Sequence, residues 1–128
     1  MTQITEDYVS FEIAKLLKEK GFDGECDYWY GEYGEICCSP SVISVECWCP
    51  SQSLTLKWLR EVHNIHIIPY FDKIQPSDLP YSFVVYVVDE YTATREIIAC
   101  FDIDENLYWS KQEQAVEAAI LYVLKNLI

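Results

Sequence analysis

The chain has 128 residues, 51% of them hydrophobic and 15% aromatic, which fits one globular domain and excludes a low-complexity or disordered chain. A domain of this length buries roughly two thirds of its unfolded surface, so folding needs neither a disulfide framework nor a structural metal. Nine basic residues against 21 acidic ones give a formal charge of −12, which argues against phosphate-directed nucleic-acid binding and against anionic membrane surfaces.

Met1-Thr2-Gln3-Ile4 carries no basic residue, and Glu6 and Asp7 fall where a secretory signal needs its apolar core. Apolar runs such as Phe83 to Val88 are strand-sized, far short of the roughly 18–20 residues of a membrane span. A cytoplasmic protein with reduced thiols is the expectation.

A first helix is expected from a Thr5 cap, with Glu6 and Asp7 in the first turn and Lys15, Lys18 and Lys20 toward the far end. Val9, Ile13, Leu16, Leu17 and Lys20 lie on one stripe at helical spacing, and Gly21 supplies the left-handed stop. Residues 26–30 and 35–38 flank Gly31-Glu32-Tyr33-Gly34 as a β-hairpin. Ser39-Pro40-Ser41 interrupts the pattern, and Val42 to Trp48 resumes it as a strand.

Ser51 or Ser53 begins a second helix, which runs to about His63 with Leu54, Trp58, Leu59 and Val62 as its apolar face. Strands follow at Ile65–Phe71, Ser82–Asp89 and Arg95–Ile103, with a short linker that pairs the last two antiparallel. Ser110-Lys111-Gln112-Glu113 reads as a capping box for a last helix. Its stripe is Val116, Ala119, Ile120, Val123, Leu124 and Leu127. The predicted fold is α+β: a single two-layer domain over residues 1–128, mainly antiparallel sheet with three helices packed on it.

Five of the six cysteines fall between Cys26 and Cys49, and Cys47-x-Cys49 precedes His63-x-x-His66. Two thiols and two imidazoles are a zinc-ligand set, but a helix of about thirteen residues would hold Cys49 and His63 roughly 18–20 Å apart. Buried cysteines acting as small hydrophobes are the preferred reading, with no metal. His66 alternates with Ile65 and Ile67, and His63 ends a helix, where the dipole favours it. Asp89-Glu90 and Asp102-x-Asp104-Glu105 are acidic strand ends without the remaining ligands of a calcium loop. No GxGxxG, P-loop, GxSxG or HExxH motif occurs, so the sequence calls for no cofactor and carries no enzyme signature.

The most unusual composition lies between Asp23 and Glu35, which has acids and aromatics but no basic residue. Tyrosine and tryptophan give contact area at low entropic cost, and surrounding carboxylates select a basic partner. The candidate partner-binding residues are Glu25, Asp27, Tyr28, Tyr30, Glu32, Tyr33 and Glu35. Strand alternation turns Tyr28 and Tyr30 to one face and Trp29 to the other, so one set is expected in the core.

Pro50-Ser51-Gln52-Ser53-Leu54-Thr55-Leu56-Lys57-Trp58-Leu59-Arg60-Glu61-Val62-His63-Asn64-Ile65-His66-Ile67, with Gln114-Ala115-Val116-Glu117-Ala118-Ala119-Ile120, resembles a family of small proteins of gut Bacteroides-group bacteria and their phages and mobile elements. The likeness is strongest over residues 50–67 and 108–128 and weakest across the cysteine-rich middle. It implies a source, and a tendency toward accessory or counter-defence proteins that act by binding, but no catalytic residues.

The leading expectation is a non-enzymatic cytoplasmic accessory protein that binds a protein partner through the acidic, aromatic-rich surface. Alternatives are a DNA mimic that occupies a nucleic-acid-binding protein, a small metal-assisted hydrolase using His66 or Asp102 and Asp104, and a homo-oligomer without ligand. Glu6, Asp7, Glu12, Glu19, Asp23, Glu25, Asp27, Glu32 and Glu35 all precede Pro40, against Lys15, Lys18 and Lys20. The charge is therefore weighted toward one part of the chain.

Overall fold

Apolar periodicity in the last third of the chain organises the molecule. In the computed structural model, which describes residues 5–24, 26–37, 45–71, 80–88, 95–99 and 109–128, three helices and six strands alternate. In chain order they are α1 (Phe11–Glu19), β1 (Trp29–Gly31), β2 (Ile36–Cys37), β3 (Val45–Trp48), α2 (Gln52–His63), β4 (Ile65–Phe71), β5 (Tyr81–Val88), β6 (Arg95–Ala99) and α3 (Gln112–Asn126). The α+β class and the antiparallel pairing agree with the sequence reading. The strands, however, divide into two sheets, ordered β2-β1-β3 and β4-β5-β6.

The hub is α3. Ala115, Val116, Ala119, Ile120, Val123 and Leu124 are all buried on it, and the helix packs against β4, β5, α1 and α2. Alanines at 115 and 119 leave room for close approach, while the branched residues fill the space between. Ile65 and Ile67 alternate inward from β4, joined by Phe83 and Val85 of β5. Each such side chain contributes about 1.5–3 kcal/mol when fully buried. Pro69 lies within β4, and a proline is tolerated there because β4 is an edge strand of this sheet.

The split into two sheets follows from the connections. Trp48 ends β3, and Pro50 and Ser51 lead straight into α2, so β3 stays with the hairpin. Ser51 is the α2 cap, its Oγ accepting from the Leu54 N–H at 3.1 Å. At the other end Asn64 adopts φ 57°, a left-handed conformation that asparagine tolerates, and the chain turns directly into β4. The last turn of α2 brings His63 against the Trp58 ring, 4.8 Å between centroids, and leaves the expected core residue Val62 exposed.

Two helix starts differ from the sequence reading. Thr5 caps nothing: α1 begins at Phe11, with Ser10 Oγ accepting from the Ile13 N–H at 3.3 Å. Tertiary pairing decides this, because Val9 N–H donates to Pro50 O at 3.1 Å and Gln52 N–H to Asp7 O at 2.7 Å. Residues 7–9 are thus an extended strap across the start of α2. Ser110 likewise forms no capping box. Its Oγ bonds Gln114 Oε1 at 3.0 Å, and α3 begins at Gln112 without a side-chain cap. Gly21, at φ 88°, ends α1 as expected. No described helix is long and apolar enough to cross a membrane.

Candidate functional site

The acidic, aromatic segment folds into the expected hairpin, but its residues part company. Gly31 N–H donates to Glu35 O at 2.8 Å and Gly34 N–H to Gly31 O at 3.0 Å, closing the turn. Gly34 sits at φ 79°, and a Cβ there would lie 2.9 Å from the Phe11 ring, so glycine is required twice over. Glu35 Oε2 accepts from the Tyr33 N–H at 3.0 Å and braces the tip. Tyr33 is 88% exposed at that tip, next to exposed Glu32, and Ile36 beyond the turn is 59% exposed.

Tyr30 does not belong to this surface. It is 6% exposed, its hydroxyl donates to Val9 O at 2.6 Å, and its ring lies 5.2 Å from Phe11. Burial and the neighbouring Cys49 push its phenol pKa well up. Trp29 is also buried, edge-on to Trp48 at 6.0 Å, so both faces of β1 are covered rather than one. Glu25 lies outside the described residues.

Asp27 and Tyr28 lie elsewhere, beside the strap. Tyr28 meets the Tyr8 ring edge-on at 5.2 Å, and burial with Tyr28, Asp27 and Glu6 pushes the Tyr8 phenol up. Here a cleft of about 260 Å³ is lined by Glu6, Tyr8, Asp27 and Ser51, with Cys26 and Cys49. Burial, then the proximity of Cys49 and Asp27, raises the Cys26 thiol to about 11. Cys49 is raised too, by burial first, although a hydrogen bond with Tyr30 pulls the other way. Both thiols therefore carry less thiolate than a free cysteine at the same pH, which lowers their reactivity as nucleophiles.

Across the strap a second cleft, about 240 Å³, is lined by Asp7, Tyr8, Gln52, Glu113, Gln114 and Glu117. Glu117 ties the three helices together, accepting from the Ser10 N–H at 2.8 Å and from Gln52 Nε2 at 3.3 Å. Gln52 Nε2 also donates to Glu113 O at 2.9 Å. Among the described residues no Lys, Arg or His lines either cleft, and five carboxylates surround the strap. Such a lining attracts cations and repels anions.

Sequence reasoning placed Glu6 and Asp7 in a helix and Glu113 in a capping box, and did not single out Tyr8 or Glu117. The available signal was Ser10 before Phe11, a rival cap that frees residues 5–9 from α1. Of the other candidates, His66 lies between buried Ile65 and Ile67, and His63 Nε2 is buried without a hydrogen-bond partner among the described residues. Cys38, Asp89, Glu90, Asp102, Asp104 and Glu105 lie outside the described residues. Among the described residues no three His, Cys, Asp or Glu side chains gather in a way that could hold a metal ion. No family model, curated protein or solved structure matches the chain.

Proposed function

We propose that the chain is a cytoplasmic accessory protein that binds a basic protein partner through its acidic, tyrosine-rich surface, with the phage-associated source that its sequence resembles. The observation that carries this reading is the hairpin tip. Tyr33 stands almost fully in solvent between Glu32 and a Glu35 that fixes the loop, with Ile36 alongside. An aromatic anchor rimmed by carboxylates is the composition of a recognition patch for a cationic surface. The two tyrosine-and-acid clefts at the strap extend the same character.

Affinity capture from host lysate, with the chain and its Tyr33→Ser variant as paired baits, tests the reading. Basic proteins retained by the first, released by raised salt and lost with the variant are the expected result. Identical capture by both baits, or retention indifferent to salt, would sink it.

A further inference from the structure

The strap has one edge in use and one edge open. Val9 N–H to Pro50 O and Gln52 N–H to Asp7 O make Tyr8 and Ser51 a non-hydrogen-bonded antiparallel pair. In such a pair the backbone N–H and C=O of each residue turn away from the facing strand. Tyr8 therefore directs a donor and an acceptor to the opposite side, and neither has a hydrogen-bond partner among the described residues. Ser10, two residues on, shares that side. Its N–H is held by Glu117 at 2.8 Å, which sets α3 across the gap. The gap is the cleft of about 240 Å³ between the strap and Glu113, Gln114 and Glu117. A further hollow of about 200 Å³ continues past Asp7 and Gln52 toward Leu56, Pro69 and Val116.

An open strand edge facing a slot recruits extended polypeptide, with main-chain bonds giving affinity and alternate side chains entering pockets. The lining decides which side chains. Asp7, Glu113 and Glu117 offer carboxylates, no basic residue lines either hollow, and Asp7 and Glu113 have no ion-pair partner among the described residues. An arginine guanidinium has five donors and no acceptor, which complements such a wall. A second copy of this chain, at −12, would bring like charge to it instead. We infer that the Tyr8 edge and the α3 carboxylates form a docking slot for an extended, arginine-bearing segment of the partner, added as a strand beside residues 7–9. This rests on the proposed binding function and assigns it a location and a binding mode.

The test titrates the ¹⁵N-labelled full chain with the capped peptide Arg-Ser-Arg-Ser-Arg-Ser. Two N-methylated versions, blocked at the arginine or at the serine nitrogens, and spermine complete the series. Saturable shifts of the Tyr8 and Ser10 amide signals are expected. Blocking one set of nitrogens should weaken binding about tenfold and blocking the other much less, because one edge of the peptide faces Tyr8. Asp7→Asn with Glu113→Gln should weaken it by roughly five- to tenfold, with an unchanged urea midpoint showing that the fold is intact. Spermine matching the peptide, with both methylated versions binding as well as the parent, would overturn strand addition. Peptide binding lost in Tyr33→Ser but kept in the Asp7 and Glu113 variant would refute the slot and leave the hairpin surface standing. Failure of the peptide to bind saturably at low salt would overturn the slot, and Tyr33-dependent capture from lysate would still decide the hairpin reading separately.

Discussion

The two sheets are built by different means. In β4-β5-β6, seven consecutive pairs from Ile65↔Val87 to Phe71↔Tyr81 keep one register, a shift between Val85 and Tyr86 falls only on the β6 side, and the inward residues of β4 and β5 bury against α3. In β2-β1-β3, β1 makes two pairs with β2 and three with β3, with a register shift between Tyr30 and Gly31. What the small sheet lacks in ladder it recovers through rings and through outside support: Trp29 on Trp48, Tyr30 on Phe11, and the Tyr30 hydroxyl on the strap at Val9. A regular ladder with one apolar face stands on its own pattern. The aromatic sheet depends on a segment some twenty residues upstream of Tyr30, and that segment is also one wall of the acidic clefts. Stability and the binding surface therefore share residues at the small sheet.

Four substitutions and one titration grade this contrast. The largest expected effect is Ile120→Ala, which removes a fully buried side chain of the hub and should cost about 3–4 kcal/mol. Both sheets border this core, so a single urea transition should move to lower denaturant with both sheets unfolding together. A second transition in which β4 and β5 outlast the rest would break the idea of one shared core.

The alkaline limb should come next, because its groups all belong to the small-sheet side. Cys26, Cys47 and Cys49 have thiols raised by burial, Cys26 to about 11. In the unfolded chain these protons leave near pH 8.5–9, so above that the unfolded state binds fewer protons than the native one. Stability is then full below about pH 8.5 and falls as pH rises toward 11. Urea midpoints under reducing conditions at pH 7, 9 and 10.5 check the sign, and a flat profile would show thiols that ionise as freely folded as unfolded.

Tyr30→Phe is smaller and more local. It deletes the hydrogen bond to Val9 O and should cost about 1–2 kcal/mol. Hydrogen exchange should quicken at Val9 and across Trp29–Gly31 while Ile67 and Val85 keep their protection. Uniform loss across both sheets would mean that the strap does not support the small sheet selectively.

Legibility in the sequence follows the same division. Period two in Ile65-His66-Ile67 and the three-and-four spacing from Val116 to Leu124 report burial directly, because one neighbouring layer covers one face. The glycine-flanked turn was also readable, since its φ demands are local. Alternation misled at Trp29 and Tyr30, where both faces of the strand are covered. The clefts were not readable at all: they exist because residues 7–9 pair with residues 50–52, and no local pattern encodes a partner some forty positions away. Glu113 and Glu117 belong to that site through the same long-range packing.

Two serines make the smallest and sharpest test of how local signals become structure. Both Ser51 and Ser110 precede a helix and both are read from sequence as caps. Ser51 Oγ accepts from Leu54 N–H at 3.1 Å, so Ser51→Ala should cost about 1 kcal/mol. Ser110 Oγ reaches only the Gln114 side chain on an exposed surface, and α3 starts at Gln112 with its hold supplied by Val116, Ala119 and Ile120 in the core. Ser110→Ala should therefore change stability by less than about 0.5 kcal/mol. Urea midpoints of the two variants, measured side by side, check the difference. Equal costs would mean that Ser110 caps α3 in solution after all, and that the sequence signal at 110–113 outweighs the packing that now sets where the helix begins.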